Sequence, residues 1–97
     1  MAHGNAELEC TVLTPEGKVY AGVVTSVYAP GVAGYFGVLR GHAPFITALA
    51  AGELRVEEKG ATQRWTVSRG FLEVLENRVS VLVDRVEARA APPPRLH

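Results

Sequence analysis

The chain has 97 residues, room for one domain and too few for two, and a chain of this size buries roughly 60–65% of its unfolded surface. Its 10 basic and 10 acidic side chains cancel, so no long-range field draws it to a phosphate backbone or to anionic lipid, and nucleic acid is not an expected partner. With 47% hydrophobic residues it has an ordinary globular composition, and a single cysteine, Cys10, excludes an internal disulfide framework.

No basic stretch followed by an apolar run opens the sequence, so no signal peptide is expected. No apolar run approaches the roughly 20 residues needed to span a bilayer, so no direct membrane insertion is expected either.

In chain order, Leu8 to Leu13 reads as a strand, and Thr14-Pro15-Glu16-Gly17 as a β-turn with proline preset at its second position. Val19 to Tyr28 is one long run rich in Val, Thr and Tyr, with Gly22 expected to mark a bulge or bend within it. Ala29 to Gly34 is a loop, and Gly31-Val32-Ala33-Gly34 lacks the Lys-Ser/Thr ending and following helix of a phosphate cradle. Tyr35 to Leu39 and Phe45 to Leu49 are short apolar strands around the turn Arg40-Gly41-His42-Ala43-Pro44. Gly52 to Glu58 alternates cleanly, with Leu54 and Val56 on one face and Glu53, Arg55 and Glu57 on the other. Lys59-Gly60 turns the chain into Thr62 to Ser68, where Trp65 and Val67 share a face. Arg69-Gly70 breaks that strand. Phe71 to Glu76 follows with Leu72 and Val74 flanking Glu73, and a turn near Asn77-Arg78 leads into Val79 to Val83. Glu87 to Ala91 has the composition of one helical turn, stopped by Pro92-Pro93-Pro94. The expected organisation is a β-sandwich domain over residues 1–86 and a short flexible Pro-rich tail over 87–97, with Met1 to Asn5 mobile as well.

About eight short strands with turn signals every 8–12 residues predict an all-β, two-layer antiparallel sandwich; parallel pairs need crossovers for which the chain has no room.

Catalytic readings find little support. Only His42 of three histidines lies inside the predicted fold, too few for a zinc site, and Cys10 sits at an inward-facing position that disfavours a thiolate. No metal, cofactor or catalytic residue is expected. The segment Gly34 to Pro44 is unusual in packing Gly, aromatic residues, His and Pro together; Tyr35 and Phe36 there are either exposed anchors for a partner or caps on the core.

At this segment the chain resembles the epsilon subunit of the F-type rotary ATP synthase. The family pattern is a glycine, two variable residues, a second glycine, and an apolar pair entering a proline-glycine-histidine-alanine-proline turn. Here it stands as Gly34-Tyr35-Phe36-Gly37-Val38-Leu39 and Arg40-Gly41-His42-Ala43-Pro44. Thr14-Pro15 to Gly22, Gly52 to Arg55, Gly70 to Val74 and Val79 to Asp84 extend the likeness over residues 7 to 86. Arg40 replaces the usual proline, which loosens the turn and adds a charge. The family's C-terminal helical hairpin is not matched, so its inhibitory and nucleotide-sensing roles are not carried over.

The resemblance implies a non-catalytic stalk subunit, at the cytoplasmic face of the membrane or its matrix or stromal equivalent, that binds the gamma subunit and the polar loops of the c-ring. The c-ring side would be Pro30, Gly31, Gly34 and Tyr35; the gamma side would be Thr14, His42, Ala43 and Glu53. His42 is then a contact, or a turn histidine bonded to its own backbone. Apolar residues beyond the needs of one face, Leu13, Leu75 and Leu82, are candidates to cover a partner. Two other readings stand beside this one: a ligand-binding sandwich with Tyr35, Phe36 and Trp65 as platform, and a small hydrolase using His42.

Overall fold

The computed structural model describes residues 7–89, all of whose regular structure is strand. The strands are β1 (Leu8–Thr14), β2 (Gly17–Val24), β3 (Ser26–Gly31), β4 (Gly34–Leu39), β5 (Phe45–Leu49), β6 (Gly52–Glu58), β7 (Ala61–Val67), β8 (Gly70–Leu75), β9 (Arg78–Val83) and β10 (Val86–Arg89). They form one hydrogen-bonded sheet in the order β10-β7-β6-β3-β5-β8-β9-β1-β2, with β4 paired to the free side of β3. The sheet folds on itself into two layers, β4-β3-β6-β7-β10 and β5-β8-β9-β1-β2, whose inner faces make the core.

The alternation read from the sequence decides which residues go inside. Leu54, Val56, Trp65 and Val67 are buried from the first layer, and Cys10, Leu72, Val74, Val79 and Val81 from the second, all with Leu8, Val12, Val27 and Val38 in one cluster. These inner positions are mostly β-branched or leucine, shapes that fit a pleated surface without polar atoms to satisfy.

The layers are joined where strands change sheet. Between β2 and β3 the chain turns at Thr25, whose N–H and hydroxyl both donate to the Glu57 carbonyl, at 2.7 and 3.0 Å. Between β7 and β8 it turns at Ser68. That residue's N–H donates to the Arg85 carbonyl at 3.0 Å, and its Oγ accepts from the Arg85 N–H at 2.9 Å, so this corner is clasped to the one between β9 and β10. Ala50 N–H donates to the Pro30 carbonyl at 2.8 Å where β5 leaves for β6. The open side is closed by Tyr20 of β2, whose ring packs on Trp65 at 5.1 Å and whose hydroxyl donates to the Glu58 carboxylate.

Five expectations need correction. The loop expected over Ala29 to Gly34 is only Val32-Ala33, because Ala29, Pro30 and Gly31 pair with Phe36, Tyr35 and Gly34. The run Val19 to Tyr28 is two strands, not one, because it passes between layers at Thr25. Gly22 is no bulge: it pairs regularly with Cys10, and the register shift falls at Val12/Leu13. Its missing side chain makes room for the Tyr20 ring, since a Cβ there would stand 2.6 Å from the Tyr20 hydroxyl. One pair, β1 with β9, is parallel; the crossover limit binds strands adjacent in sequence, and here the rest of the domain is the crossover. Finally, Glu87 to Arg89 lie in β10, not a helical turn, because the β7 edge offers backbone groups that an isolated turn could not satisfy. Residues 90–97 and 1–6 lie outside the described residues, and the expected mobile ends with them.

Two neighbouring leucines test this assignment of faces. Leu72 is fully buried opposite Val81, and Leu82, the next residue of β9, is 48% exposed on the other side. Leu72→Ala is expected to cost about 2–5 kcal/mol of unfolding free energy, and Leu82→Ala under about 1 kcal/mol. Urea titrations of the two variants decide it; similar losses would mean that the faces are misassigned.

Candidate functional site

The outer face of the second layer carries more apolar surface than a solvated sheet needs. Register pairs Ala48 with Phe71, Phe71 with Leu82, and Leu82 with Leu13, so one cross-strand row over four strands holds no charged group. Phe71 is 56% exposed, and Ile46 and Leu75 on flanking rows of the same face are 68% and 49% exposed. Beside the row a depression of about 450 Å³ is lined by Leu13, Thr14, Pro15, Gly70, Phe71, Leu82, Val83 and Asp84. Exposed apolar patches on a small domain mark surfaces that another molecule covers. The surplus residues Leu13, Leu75 and Leu82 therefore share one face, with Leu75 and Leu82 exposed and Leu13 half-buried.

Thr14 ends β1 next to this row, and its Oγ1 accepts from the Glu16 N–H at 3.2 Å to shape the turn. His42 and Ala43 sit at the other end of the layer, before β5. The His42 Nδ1 meets the Ala43 carbonyl at 2.7 Å and its ring lies 5.5 Å from that of Phe45, so it is a turn histidine bonded to its own backbone. The turn is pinned from β8–β9. Asn77 and Glu76 both hold positive φ, 62° and 52°, in a two-residue hairpin, and the Asn77 Oδ1 accepts from the Gly41 N–H at 2.7 Å. Asn77 was legible as a turn residue but not as the support of the His42 segment, because nothing local joins positions 36 residues apart.

Glu53 does not share a surface with Thr14, His42 and Ala43. It lies on the outer face of the first layer, in a row of charges in which Arg64 pairs with Glu53 at 3.1 Å and Arg55 with Glu57 at 3.5 Å. Its neighbour there is Tyr35, whose hydroxyl accepts from the Glu53 N–H at 3.0 Å. Gly31 and Gly34 close the β3–β4 hairpin, Gly34 with φ 134°, and Tyr35 beside them is 49% exposed. Pro30 is buried, so in this hairpin it supports and does not face solvent.

Neither of the other readings is assembled. Tyr35 is on the outer face, Phe36 turns inward against Phe45 at 5.6 Å, and Trp65 is only 5% exposed, so the three rings form no common platform. Among the described residues no acid or base hydrogen-bonds to the His42 ring, and no group of three or more His, Cys, Asp or Glu is placed to hold a metal ion. Burial pushes the Cys10 thiol up to about 12, away from the thiolate that a nucleophile requires. Burial, and then the hydrogen bond to and charge of Glu58, raise the Tyr20 phenol as well.

With this geometry in view, the sequence matches over residues 7–89 the family described as the ATP synthase delta/epsilon chain β-sandwich domain. It is 44% identical over 79 residues to the ATP synthase epsilon chain of Helicobacter pylori strain Shi470, covering 81% of this chain and 64% of that one. The chain thus spans just under two thirds of the length of that relative. Two solved assemblies contain chains of the same fold. One is from the Euglena gracilis mitochondrial ATP synthase OSCP/F1/c-ring (TM-score 0.79, 24% identity, 86% of this chain and 54% of that one). The other is from the Tetrahymena thermophila mitochondrial ATP synthase central stalk/c-ring (TM-score 0.74, 14% identity, 86% and 67%).

Asn77→Gly keeps the hairpin backbone and deletes the acceptor, so the Gly41 amide should exchange about fivefold faster with deuterium while the Val79 and Val81 amides are unchanged. An unchanged Gly41 rate would remove Asn77 as the support of the His42 turn. A second expectation concerns pH. The Cys10 thiol keeps its proton to about 12 in the folded chain, whereas an unfolded cysteine loses it near 8.5, about where the slope begins. Its contribution to stability is therefore complete below about pH 8 and falls as pH rises toward 12, by up to about 1.4 kcal/mol per unit. Urea midpoints at pH 8 and 9, below the range where Tyr20 adds a slope of the same sign, should drop for the wild type and stay flatter for Cys10→Ala. Parallel pH profiles would contradict the buried thiol.

Proposed function

The chain belongs to the ATP synthase delta/epsilon β-sandwich family, and we propose that it works as a non-catalytic subunit of the rotor's central stalk in a proton-translocating ATP synthase. In this reading one outer face binds the gamma subunit, a tip of the sandwich meets the polar loops of the c-ring, and the rigid body between them helps couple proton flow to ATP synthesis. It would sit peripherally on the proton-consuming side of the membrane, held by its partners; no helix among the described residues is long and apolar enough to cross a bilayer.

The observation that carries the reading is the uncharged row Ala48–Phe71–Leu82–Leu13 on the outer face of a layer whose inner face is already the core. A small domain exposes such a row at a cost in solubility unless another subunit covers it. Gamma suits it as the occupant because Thr14 stands at one end of this layer and His42 with Ala43 at the other, so a long partner lying across the sheet touches all three. Glu53 is better assigned to the second surface, with Gly34 and Tyr35, where the hairpin tip projects. The two similar assemblies, both of which include a c-ring and one a central stalk, favour a role beside these partners.

Binding of the purified chain to a soluble gamma subunit tests this. Phe71→Glu, Leu82→Glu and Thr14→Arg are expected to weaken it at least about tenfold each, the effect of spoiling the centre of an interface. Thr66→Glu, on the outer face of the other layer, should leave it unchanged. Far-UV circular dichroism should match the wild type for the Phe71, Leu82 and Thr66 variants, whose side chains point away from the core. Thr14→Arg also removes the hydroxyl that shapes the turn, so its affinity is compared only with an unchanged spectrum. Wild-type affinity in the Phe71 and Leu82 variants would overturn the docking face.

A further inference from the structure

We propose that Tyr28, Arg55 and Gly52 are positioning residues that hold the ring of Tyr35 in one orientation, so that the β3–β4 hairpin offers its partner a preset aromatic contact. The proposal rests on the reading above, in which Tyr35 faces the c-ring.

An exposed tyrosine at a hairpin tip would ordinarily sample several rotamers. Here it is tied at both ends. Its ring stacks on Tyr28 at 5.1 Å with the planes 18° apart, and its hydroxyl accepts from the Glu53 N–H at 3.0 Å. The Tyr28 ring is itself held, since the Arg55 guanidinium lies 4.6 Å from its centroid. Strand order places these supports on opposite sides: β3 carries Tyr28, β4 on one flank carries Tyr35, and β6 on the other carries Arg55, directly paired with Tyr28. Arg55 is fixed in turn by Glu57 at 3.5 Å, and Glu57 by the Thr62 hydroxyl at 2.7 Å. Offset aromatic stacking and a cation over a ring face are both attractive in this geometry.

Gly52 supplies the gap into which Tyr35 reaches. A Cβ at Gly52 would lie 2.7 Å from the Tyr35 hydroxyl oxygen and 3.0 Å from the Cβ of Pro30. Gly52→Ala would push the phenol off the Glu53 amide while adding nothing to the hairpin's exposed surface. A ring held before binding loses less rotamer freedom when its partner arrives, which is the physical return on the arrangement.

The test measures affinity of the full chain for a detergent-purified c-ring carrying gamma, together with the NMR ring-proton shifts of Tyr35. Gly52→Ala and Tyr28→Ala should each move the Tyr35 signals and weaken binding roughly three- to tenfold, whereas Tyr28→Phe, which keeps the stack, should behave as wild type. In a Tyr35→Ala background neither substitution should weaken binding further, because a residue that acts through Tyr35 has nothing left to act on. Losses that persist in that background would overturn the proposal by showing a direct contact or a general loss of structure. Displaced Tyr35 signals with wild-type affinity would overturn it too, provided that Tyr35→Ala itself weakens binding. Wild-type affinity in Tyr35→Ala would instead remove the contact itself, and the positioning role with it. Thermal melts accompany each variant; if Gly52→Ala strains Pro30 and melts early, Tyr28→Ala, on the solvent face, decides alone.

Discussion

The fold depends on one geometric constraint: each strand that passes between layers must keep presenting apolar side chains to the same core. In β2 the inner residues are even-numbered, Tyr20, Gly22 and Val24, and in β3 they are odd, Val27 and Ala29. The phase changes again between Leu49 and Leu54, between Val67 and Leu72, and between Val83 and Val86. One extra residue is spent at each of these four corners, as a bulge spends one to bend a strand sharply; the fifth crossing, from β4 to β5, runs through residues 40–44. The corners are then secured by backbone bonds to a neighbouring strand or corner, such as Thr25 to Glu57 and Ser68 to Arg85. The bend therefore leaves few buried backbone groups unpaired.

Because the inner faces settle folding, the outer faces are free to differ, and they do. The first layer's outside is a set of alternating charges, Glu53 with Arg64 and Arg55 with Glu57, whose pairs contribute little to stability individually. They keep that face wetted and frame the Tyr28–Tyr35 stack. The second layer's outside keeps charges at Glu73 and in the Arg78–Glu9 pair, but its Phe71–Leu82 row carries none. The same two-residue period underlies both, so the contrast is a property of surface chemistry and not of fold.

That distinction governs what could be read before the structure. Clean alternation around charged residues, as in Gly52 to Glu58, assigned inside and outside correctly, and the surplus leucines Leu13, Leu75 and Leu82 pointed to the face that is exposed. Phe71 was implied by the same parity, since Leu72 and Val74 claim the inside. Ile46 was not, because Phe45 to Leu49 has no charge to mark a side. The corner at Thr25 was misplaced to Gly22 because glycine is the customary sign of a bend, whereas here the sign is the phase change from Val24 to Val27. Glu53 came to the gamma side with Thr14 and His42 through the family resemblance alone; its parity marks it as outward but does not say which of two layers it leaves from. Its link to Tyr35 spans 18 positions and depends on how β4 and β6 flank β3.

In the proposed role this layer assignment has a mechanical consequence. A contact at Tyr35 loads the first layer, and a contact along Phe71 and Leu82 loads the second. Force between them has a short hydrogen-bonded route where the hairpin meets β5, since Gly31 pairs with Leu49 and the Val32 N–H donates to the Ala48 carbonyl at 3.2 Å. The corners and the closing contact of Tyr20 with Trp65 and Glu58 hold the layers together elsewhere. Stiffness at those places comes from short backbone bonds that cannot lengthen far without breaking, together with a core in which Val27, Leu54, Leu72 and Val81 are completely enclosed. Packed interiors deform little, so displacement at the hairpin reaches the apolar face as rotation of the whole body and not as shear between layers. Placing the two working surfaces on different layers makes the bonds that join the layers part of the coupling as well as of the fold.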